Sequence, residues 1–307
     1  MTSVIFKASE AFGLGDVRSV RPVAGGLSND MWRVDTRGSA FAVKVMQVNA
    51  ERADFRDNIE AAFVIEMNAF QQGVPCPEPC PNPDGGGLLR VEGHWVRVHR
   101  WCDGRPPIAT NHLDEAGRLL SRIHQVAPQH DGTLDDEPWD VEGWASLAAQ
   151  PGLPDELASR IRSAAHDLAA LEAATAAAPG FATAHVPSHG DLDPKNTLCA
   201  GDQMLAVDWD AASSQPVTRE AVSLALDWSA DVEGFRRVVT AYSEASGAAI
   251  PPGAWVFGGW VSALGGWLVY NASERADSEL GQREVSQACD RLQALYRSLE
   301  AYDAALS

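Results

Sequence analysis

Apolar and polar positions alternate through much of the first hundred residues, which is the pattern of half-buried β-strands. Two predicted helices interrupt this pattern, at 1–15 and at 53–72, and the second has an apolar stripe at helical spacing that includes Ile59 and Phe63. The N-terminal part is therefore predicted to be a five-stranded sheet with two helices. The predicted strands are 16–23, 31–34, 41–45, 88–91 and 94–100.

After residue 100, apolar positions recur at every third or fourth residue, which predicts helices. One of these helices, 252–274, carries Trp260 and Trp267 in an apolar stripe that we expect to be core, since large aromatic side chains dominate core burial. The segment around Trp139 and Trp144 is predicted to be a loop. The change of pattern predicts an N-terminal lobe of residues 1–100 and a C-terminal lobe of residues 101–307. The other predicted helices are 113–125, 155–178, 218–231, 233–247 and 279–306.

One segment of the helical part, Ser188–Asp210 (SHGDLDPKNTLCAGDQMLAVDWD), breaks the helical pattern. Asp191 lies in a tight turn, Asn196 follows five residues later, and two short strands joined by a turn end on Asp208. Phosphoryl transfer from a nucleotide needs a carboxylate beside the attacking hydroxyl, and an amide and a second carboxylate to hold Mg²⁺ against the phosphates. Each aspartate alone is also explained by a turn or a strand end, so the argument depends on the two linked motifs.

The pattern His-Gly-Asp-x-x-x-x-Asn, with Asp-Trp-Asp seventeen residues after the first aspartate, resembles the aminoglycoside phosphotransferase and choline kinase family. This resemblance implies a bilobal protein-kinase-like α+β fold, with a small β-rich N-terminal lobe and a larger α-helical C-terminal lobe. It also implies an enzyme that phosphorylates an alcohol group, with Asp191 as the catalytic residue and Asn196 and Asp208 as ligands of Mg²⁺. Asp210 is expected either to join the metal shell or only to orient Asp208.

The nucleotide phosphates are expected to meet two features of the predicted sheet. Gly25, Gly26 and Ser28 lie between the first two strands, where backbone N–H groups can approach phosphates without an intervening Cβ. Lys44 lies between valines in the third strand, much like the Val-Ala-Ile-Lys strand whose lysine holds the α- and β-phosphates. A glycine pair alone is usually a hairpin turn and a strand lysine an edge residue, but their order along the chain favours the phosphate role.

The resemblance implies two further parts of the nucleotide site. The family pairs its strand lysine with an acidic residue of the following helix, and the stretch VIEMNAFQQGVPCPEP favours Glu66, with Glu60 as the second candidate. The backbone of about Val98 to Trp101 is expected to bond the adenine edge at the hinge between the lobes. ATP or GTP is therefore the expected phosphoryl donor.

The catalytic loop departs from its relatives two residues after Asp191. Protein kinases carry a lysine there and many antibiotic kinases a histidine, whereas this chain has Asp193. A carboxylate beside the acceptor suits an amine-bearing substrate, and it equally suits a loop carboxylate bonded to backbone N–H groups. Lys195 is expected, by alternation along the loop, to point away from the transferring phosphate. Asp193, Asp231 and Glu274 are the predicted substrate-binding residues.

Composition limits the partners and the compartment. The chain has 307 residues, with 45% hydrophobic and 21% charged positions, which is typical of a globular protein. A net charge of −18 argues against nucleic acid and anionic membranes, and permits a small cationic substrate. Five scattered cysteines, no apolar run of membrane-spanning length and no signal-peptide pattern together predict a cytoplasmic protein.

Three functions follow from these features. The main prediction is a resistance kinase that acts on an aminoglycoside or a similar polycationic antibiotic. The second is a metabolic kinase for choline, another amine alcohol or a sugar-like metabolite. The third is an inactive nucleotide-binding interaction module, which is disfavoured because every charged element of the site can be placed in the sequence.

Overall fold

In the computed structural model, which describes residues 1–23, 29–47 and 50–307, the strands predicted in the first hundred residues form one antiparallel sheet. The strands of the described residues are β1 Val17–Val23, β2 Asn29–Thr36, β3 Ala40–Met46, β4 Pro79–Cys80, β5 Leu89–Val91, β6 His94–Arg100, β7 His130–Leu134, β8 Phe181–Ser188, β9 Thr197–Ala200, β10 Gln203–Ala206 and β11 Ser213–Pro216. The order of the sheet is β1-β2-β3-β6-β4, and β5 also pairs with β6.

The helices begin and end within a few residues of most of the predicted bounds. The exception is the short helix α4, Val141–Leu147, which lies in the segment around Trp144 that is predicted to be a loop. The Asp140 carboxylate caps this short helix by accepting the N–H of Gly143 at 2.8 Å, and the Trp144 side chain is buried. The helices of the described residues are α1 Thr2–Ala11, α2 Phe55–Gln71, α3 Leu113–His124, α4 Val141–Leu147, α5 Asp155–Thr175, α6 Val217–Trp228, α7 Val232–Ser246, α8 Gly258–Glu274 and α9 Glu279–Ala304.

Strand β4 is an addition to the five predicted strands. It consists of two residues in the proline-rich stretch after α2, where Pro79 is the register partner of His99 and Cys80 that of Val98. A two-residue strand is too short to show alternation of apolar and polar residues, and proline is tolerated because the strand lies at the edge of the sheet.

The sheet and the helices together confirm the predicted α+β class.

The chain divides into two units by its internal contacts. The first unit comprises residues 1–115, 119–128 and 187–214, and the second comprises 116–118, 129–186 and 215–307. The segment predicted to carry the catalytic residues therefore belongs to the same unit as the sheet. The functional division at residue 100 stays a prediction.

The sheet of the first unit is covered by helices on both faces. Alternation along β3 places Val43 and Val45 in one apolar cluster with Val4 and Ile5 of α1. Met46 belongs to a second cluster with residues of α2, namely Phe55 and Ile59. Lys44 shares the face of Met46, so its side chain lies on the α2 side of the sheet.

The second unit is mainly helical. Helix α9 packs against α5 and α8, and α6 packs against α7 and α8. Trp260 and Leu268 of α8 are buried, as expected for a core stripe, while Trp267 is partly exposed. Strand β7 pairs with β8, from His130 opposite His185 to Leu134 opposite Phe181. Among the described helices, none has both the length and the apolar composition needed to cross a membrane.

Glu60, the second candidate partner of Lys44, has a different role in the first unit. Its carboxylate accepts the backbone N–H groups of Gly87 at 2.7 Å and Leu88 at 3.0 Å, just before β5. A Cβ at Gly87 would lie 2.5 Å from Cγ of Phe63, so only glycine fits this close approach. Through these two hydrogen bonds, Glu60 anchors the loop after β4 to α2.

We expect Glu60→Ala to lower the free energy of unfolding by about 1–3 kcal/mol, because it leaves two partly buried N–H groups without an acceptor. Urea unfolding measures the loss. The control is Glu10→Ala, at an exposed position of α1 in the same unit, which is expected to change stability by less than about 0.5 kcal/mol. Equal stability of the two variants would show that Glu60 does not fasten this loop.

Candidate active site

The hairpin of β9 and β10 explains the spacing of the catalytic motifs. Thr197 at the start of β9 is the register partner of Ala206 at the end of β10, so the residues flanking the hairpin meet at one end of it. The N–H of Val207 donates to the Asn196 carbonyl at 2.9 Å and fixes this junction. The Nε2 atom of His189 lies 3.0 Å from the Val207 carbonyl. Two segments that are distant in sequence therefore lie side by side.

Asp191 and Asn196 are joined by side-chain hydrogen bonds. The Nδ2 atom of Asn196 donates to the carbonyl and to Oδ2 of Asp191, both at 2.8 Å. The Asn196 side chain is buried, whereas 45% of the Asp191 side chain is exposed. The bonds hold the aspartate in one orientation while leaving it accessible to an acceptor molecule.

Asp193 and Lys195 form a closed turn next to Asp191. The Oδ1 atom of Asp193 accepts the N–H groups of Lys195 at 2.8 Å and Asn196 at 3.1 Å, and its Oδ2 lies 2.5 Å from the Lys195 ammonium. These are the bonds of a loop carboxylate, which was one of the two interpretations of Asp193. Its role in substrate binding stays a prediction.

The expected direction of the Lys195 side chain is corrected by the structure. Its Nζ atom lies 3.4 Å from Oδ2 of Asp191, so the side chain returns to the carboxylate of the predicted catalytic residue instead of pointing away. The alternation argument fails because Pro194–Asn196 is a 3₁₀ turn, in which side chains do not alternate between two faces. Partial burial lowers the pKa of Lys195, but the charges of Asp191 and Asp193 raise it above its ordinary value, so the ammonium is charged at neutral pH.

Lys44 is held by two carboxylates. Its Nζ atom lies 2.5 Å from Oδ1 of Asp208 and 2.5 Å from Oδ2 of Asp210, and only 5% of the residue is exposed. Burial would lower the pKa of Lys44, but the charges of Asp210 and Asp208 raise it above its ordinary value. The lysine is therefore a fixed positive charge beside the predicted metal ligand Asp208.

Arg97, which the sequence did not single out, is the cross-strand partner of Lys44. The two residues lie opposite each other in β3 and β6, and Arg97 is only 1% exposed. Like charges at this position repel each other. Asp210 lies between them, with Oδ2 bonded to Lys44 and Oδ1 bonded to Nη1 of Arg97. Asp210 is therefore the common counter-ion of two buried cations.

The predicted pairing of Glu66 with Lys44 is not what the structure contains. The Glu66 carboxylate accepts Nη2 of Arg97 at 2.5 Å and lies 2.9 Å from Nε2 of His99. Arg97 has the reach to bridge Glu66 and Asp210, and Lys44 already has two carboxylates. Burial would raise the pKa of Glu66, but His99 and Arg97 lower it, so the side chain is ionised. Its assignment to the nucleotide site stays a prediction.

Three of the carboxylates described above line a cavity of about 390 Å³ in the first unit. Asp191, Asp208 and Asp210 contribute carboxylates, and Met46 of β3 contributes to the lining. A volume of this size falls within the range of small-molecule sites. The remaining lining residues are Asn29, Arg52, Asp54, Phe55, Asn58, Ile59 and Ala211.

The donor atoms at this cavity fit a magnesium ion bound together with phosphates. The described residues contain no group of three or more His, Cys, Asp and Glu side chains that could hold a metal alone. Mg²⁺ needs few protein ligands when phosphates and waters complete its shell. Asp208 and Asp210 already converge on one cation, the Lys44 ammonium. The Asn196 amide nitrogen is bonded to Asp191, so its amide oxygen is the atom that would bind a metal.

Asp208 has an unusual backbone conformation. Its φ of 63° and ψ of 58° lie in the left-handed region, which residues other than glycine adopt rarely. Such conformations cost free energy and occur often at functional sites. The conformation turns the chain sharply after β10, so that Asp208 and Asp210 both reach Lys44.

The other predicted nucleotide-binding residues are only partly tested. Gly25, Gly26 and Ser28 lie in 24–28, outside the described residues. Val98 is buried within β6, and the N–H of Trp101 donates to the Ala40 carbonyl at 2.9 Å. The Trp101 N–H is therefore used by the sheet, and binding of an adenine edge at Val98 to Trp101 stays a prediction.

Two predicted substrate-binding residues belong to the second unit. The Asp231 carboxylate accepts the N–H of Gly234 at 2.8 Å and caps α7, which is a structural role. Glu274 is the exposed last residue of α8. Substrate binding by either residue stays a prediction.

The sequence did contain a signal for Arg97 and His99. Strand β6 reads HWVRVHR, with Arg97 and His99 alternating with Val96 and Val98. Strict alternation predicts one apolar and one polar face. In a strand paired on both sides, as β6 is, a polar face that meets a helix must be matched by buried carboxylates.

Comparison with known proteins identifies the family. A family model described as the phosphotransferase enzyme family, APH, matches residues 19–256. This chain belongs to the APH phosphotransferase family. Among its curated relatives is the homoserine kinase of Pseudomonas aeruginosa, 27% identical over 235 residues that cover 73% of this chain and 69% of the relative. The homoserine kinase of a Bradyrhizobium species is 25% identical over 201 residues, which cover 64% of this chain and 58% of the relative.

Solved structures share the fold of this APH family member. Spectinomycin phosphotransferase, in complex with ADP and spectinomycin, has a TM-score of 0.64 at 11% identity and covers 95% of this chain and 97% of its own. Amicoumacin kinase, in complex with AMP-PNP and Ca²⁺, has a TM-score of 0.63 at 14% identity. The match covers 97% of this chain and 96% of the kinase. A choline/ethanolamine kinase family protein from Mesorhizobium loti has a TM-score of 0.62 at 17% identity. The match covers 100% of this chain and 99% of that protein.

The predicted family and its protein-kinase-like fold are thus confirmed. The chain is an enzyme, a small-molecule phosphotransferase whose acceptor is an alcohol group and whose donor is a nucleotide. This sets aside the alternative of an inactive interaction module.

We expect Arg97→Met to lower the free energy of unfolding by about 3–5 kcal/mol, because Glu66 and Asp210 lose a buried cation. Adding Glu66→Met is expected to recover part of this loss, since one unpaired carboxylate is removed. Urea unfolding of the single and double variants measures the coupling.

The matched control is Arg219→Met, in the second unit, where a buried arginine is paired with Asp136 at 2.6 Å. Its loss of stability is expected to add to that of Glu66→Met without recovery. If the effects of Arg97→Met and Glu66→Met were also additive, the two side chains would not act as one network.

Proposed function

We propose that this chain is a metabolic kinase that transfers the γ-phosphoryl group of ATP to the hydroxyl of a small amine-bearing alcohol of the homoserine type. The observation that carries the proposal is the oriented Asp191 carboxylate, which lines the same cavity as Asp208 and Asp210. An acceptor hydroxyl and a metal-bound phosphate chain can meet in such a cavity. The substrate class is supported by curated relatives named homoserine kinase.

Asp191 is proposed to orient the acceptor hydroxyl and to accept its proton. As the bond from the hydroxyl oxygen to the γ-phosphorus forms, the bond from that phosphorus to the β–γ bridging oxygen breaks, and ADP leaves. The transition state of such a transfer is loose, so the carboxylate acts mainly by positioning. The two hydrogen bonds from Asn196 supply that positioning by holding the backbone and one carboxylate oxygen of Asp191.

Asp208 and Asn196 are proposed to hold Mg²⁺, with Asp210 either sharing the ion or fixing Lys44. When bound, Mg²⁺ neutralises charge on the β- and γ-phosphates. Lys44 is proposed to hold the α- and β-phosphates, and Gly25, Gly26 and Ser28 to contribute backbone N–H groups. Arg97 bonds Oδ1 of Asp210, whereas Lys44 bonds Oδ2. Arg97 therefore keeps Asp210 in place whether Lys44 binds Asp210 or a phosphate.

The relatives favour the metabolic function over an antibiotic-resistance function. The homoserine kinase relationship is one of sequence and extends over 69% of the relative. The likeness to spectinomycin phosphotransferase and amicoumacin kinase, at 11% and 14% identity, supports the fold alone. A net charge of −18 suits any amine-bearing acceptor and does not discriminate between the two functions.

A panel of acceptors tests the proposal. ADP release is measured with ATP, Mg²⁺ and one acceptor at a time: homoserine, choline, ethanolamine, aminopropanol, spectinomycin, a 2-deoxystreptamine aminoglycoside and a neutral sugar. We expect kcat/KM for an amino alcohol, with homoserine first, to exceed that for either antibiotic by at least about 100-fold, or about 2.7 kcal/mol of transition-state binding. A preference for an antibiotic or for the neutral sugar would overturn the proposed substrate class.

Asp191→Asn is expected to lower kcat by about 10²–10⁴-fold while leaving the nucleotide Kd within a factor of about three, because the lost contact is with the acceptor. Asp208→Asn is expected to raise the Mg²⁺ concentration needed for half-maximal turnover. Steady-state kinetics and calorimetric titration with a non-hydrolysable ATP analogue measure these effects.

The control is Asp202→Asn, at the exposed turn between β9 and β10, which is expected to have wild-type kinetics. Turnover by Asp191→Asn at more than a few per cent of the parent rate would remove Asp191 from the catalytic role. An unchanged Mg²⁺ requirement in Asp208→Asn would remove Asp208 from the metal site.

A further inference from the structure

Both the backbone and the ammonium of Lys195 contact the same carboxylate, although more than half of its side chain is exposed. One oxygen of Asp193 accepts the backbone N–H of Lys195 at 2.8 Å, and the other oxygen lies 2.5 Å from its ammonium. The same carboxylate thus holds both ends of the residue. Pro194 at the first position of the turn further restricts the backbone.

The Lys195 ammonium lies beside Asp191, which lines the cavity. Its Nζ atom is 3.4 Å from Oδ2 of Asp191, the carboxylate proposed to receive the acceptor hydroxyl. Lys44 lies instead on the metal side, between Asp208 and Asp210. The two lysines therefore place positive charge beside different carboxylates, Lys44 beside Asp208 and Asp210, and Lys195 beside Asp191.

The sequence uses lysine sparingly. Of the 24 lysine and arginine residues, only Lys7, Lys44 and Lys195 are lysines. An ammonium is a compact charge with three donors, whereas a guanidinium is a planar fork that pairs bidentately with one carboxylate. Three donors allow one ammonium to bond Asp191, Asp193 and a third oxygen at the same time. Arginine would be expected to engage the carboxylate of Asp191 itself and block its access to the hydroxyl.

We propose that Lys195 is a catalytic residue that donates a hydrogen bond from its ammonium to the transferring γ-phosphoryl group. The assignment rests on the proposed function, since it requires phosphoryl transfer to a hydroxyl at Asp191. Lys195 keeps its own proton throughout, because the hydroxyl proton passes to Asp191. The ammonium meets charge that spreads over the three equatorial oxygens in the transition state. Lys195 thus supplies a cation beside the catalytic aspartate from a position four residues after it, and Asp193 is its positioning residue.

A purely structural or solubilising lysine would behave differently. Exposed ion pairs contribute little to stability, and 58% of the Lys195 side chain is exposed. Removing the charge should therefore scarcely change the unfolding transition. A large loss of kcat in a normally stable variant would separate the two roles.

The first experiment compares Lys195→Met with Lys7→Met. Lys7 is a matched control, because its side chain is 57% exposed and is also paired with a carboxylate, that of Glu92. Lys195→Met is expected to lower kcat by about 10²–10³-fold, with the nucleotide KM changed by less than about threefold. Lys7→Met is expected to have wild-type kinetics, and both variants to have wild-type melting temperatures.

The second experiment measures binding without turnover. Lys195→Met is expected to weaken binding of MgADP–aluminium fluoride, which mimics the transferring phosphoryl group, by at least about 30-fold. Its Kd for a non-hydrolysable ATP analogue is expected to stay within about threefold of wild type, since catalytic contacts strengthen in the transition state. Equal effects on the two ligands, or none on either, would overturn the proposal.

Asp193→Asn separates positioning from substrate binding. The amide oxygen can still cap the turn, but the ionic anchor of the Lys195 ammonium is lost. We expect kcat to fall about tenfold with an unchanged acceptor KM. A raised acceptor KM with unchanged kcat would instead assign Asp193 to the substrate and count against the positioning role.

Chemical rescue gives a further criterion. Added ethylammonium is expected to restore part of the activity of Lys195→Ala in a saturable manner and to leave Lys7→Ala unchanged. If wild-type enzyme phosphorylates no acceptor of the panel, the proposed function fails. If it turns over an acceptor and Lys195→Met keeps more than a third of the parent kcat, only the role of Lys195 fails.

Discussion

The site depends on Asp210 lying between two buried cations. Lys44 and Arg97 are direct cross-strand partners, and neither has access to bulk water that could screen their repulsion. Asp210 gives one carboxylate oxygen to each. Because Asp210 follows β10, the segment that carries the proposed catalytic residues must pack against the sheet for the two buried cations to be tolerated. Fold and site are therefore coupled by one carboxylate.

Arg97 extends this coupling to α2. It bonds Asp210 with one terminal nitrogen and Glu66 with the other, so α2 is linked to Lys44 through three successive ion pairs rather than by direct contact. Buried ion pairs are weak evidence for stability, because desolvation offsets much of their attraction. The main effect of these ion pairs is to orient the side chains, because the Glu66 and Asp210 carboxylates each have partners that fix their direction. A fixed Asp210 keeps its position whether Lys44 is bonded to carboxylates or to phosphates.

The sequence allowed us to predict which residues lie close together where a short local hairpin brings them together. It did not allow this where proximity depends on the register between strands. Asp191, Asn196 and Asp208 could be grouped because a short hairpin closes between them, and this follows from their spacing. The partner of Glu66 could not be predicted, since it depends on which residue of β6 lies opposite Lys44, and alternation does not give that register. The direction of Lys195 was wrong because alternation applies to extended chain and not to a 3₁₀ turn.

The charge balance of the site supports the proposed roles of a metal ion and of Lys195. In the described part of the chain, Glu66, Asp191, Asp193, Asp208 and Asp210 bring five carboxylates into contact with the three cations Lys44, Arg97 and Lys195. The protein groups therefore carry two more negative charges than positive ones, and a nucleoside triphosphate adds several more. One divalent cation offsets the excess of the protein alone, so the nucleotide must bring its own counter-ion or enter as a metal complex. In the proposed mechanism, the Lys195 ammonium is the cation that allows a phosphoryl group to approach Asp191 closely enough to react.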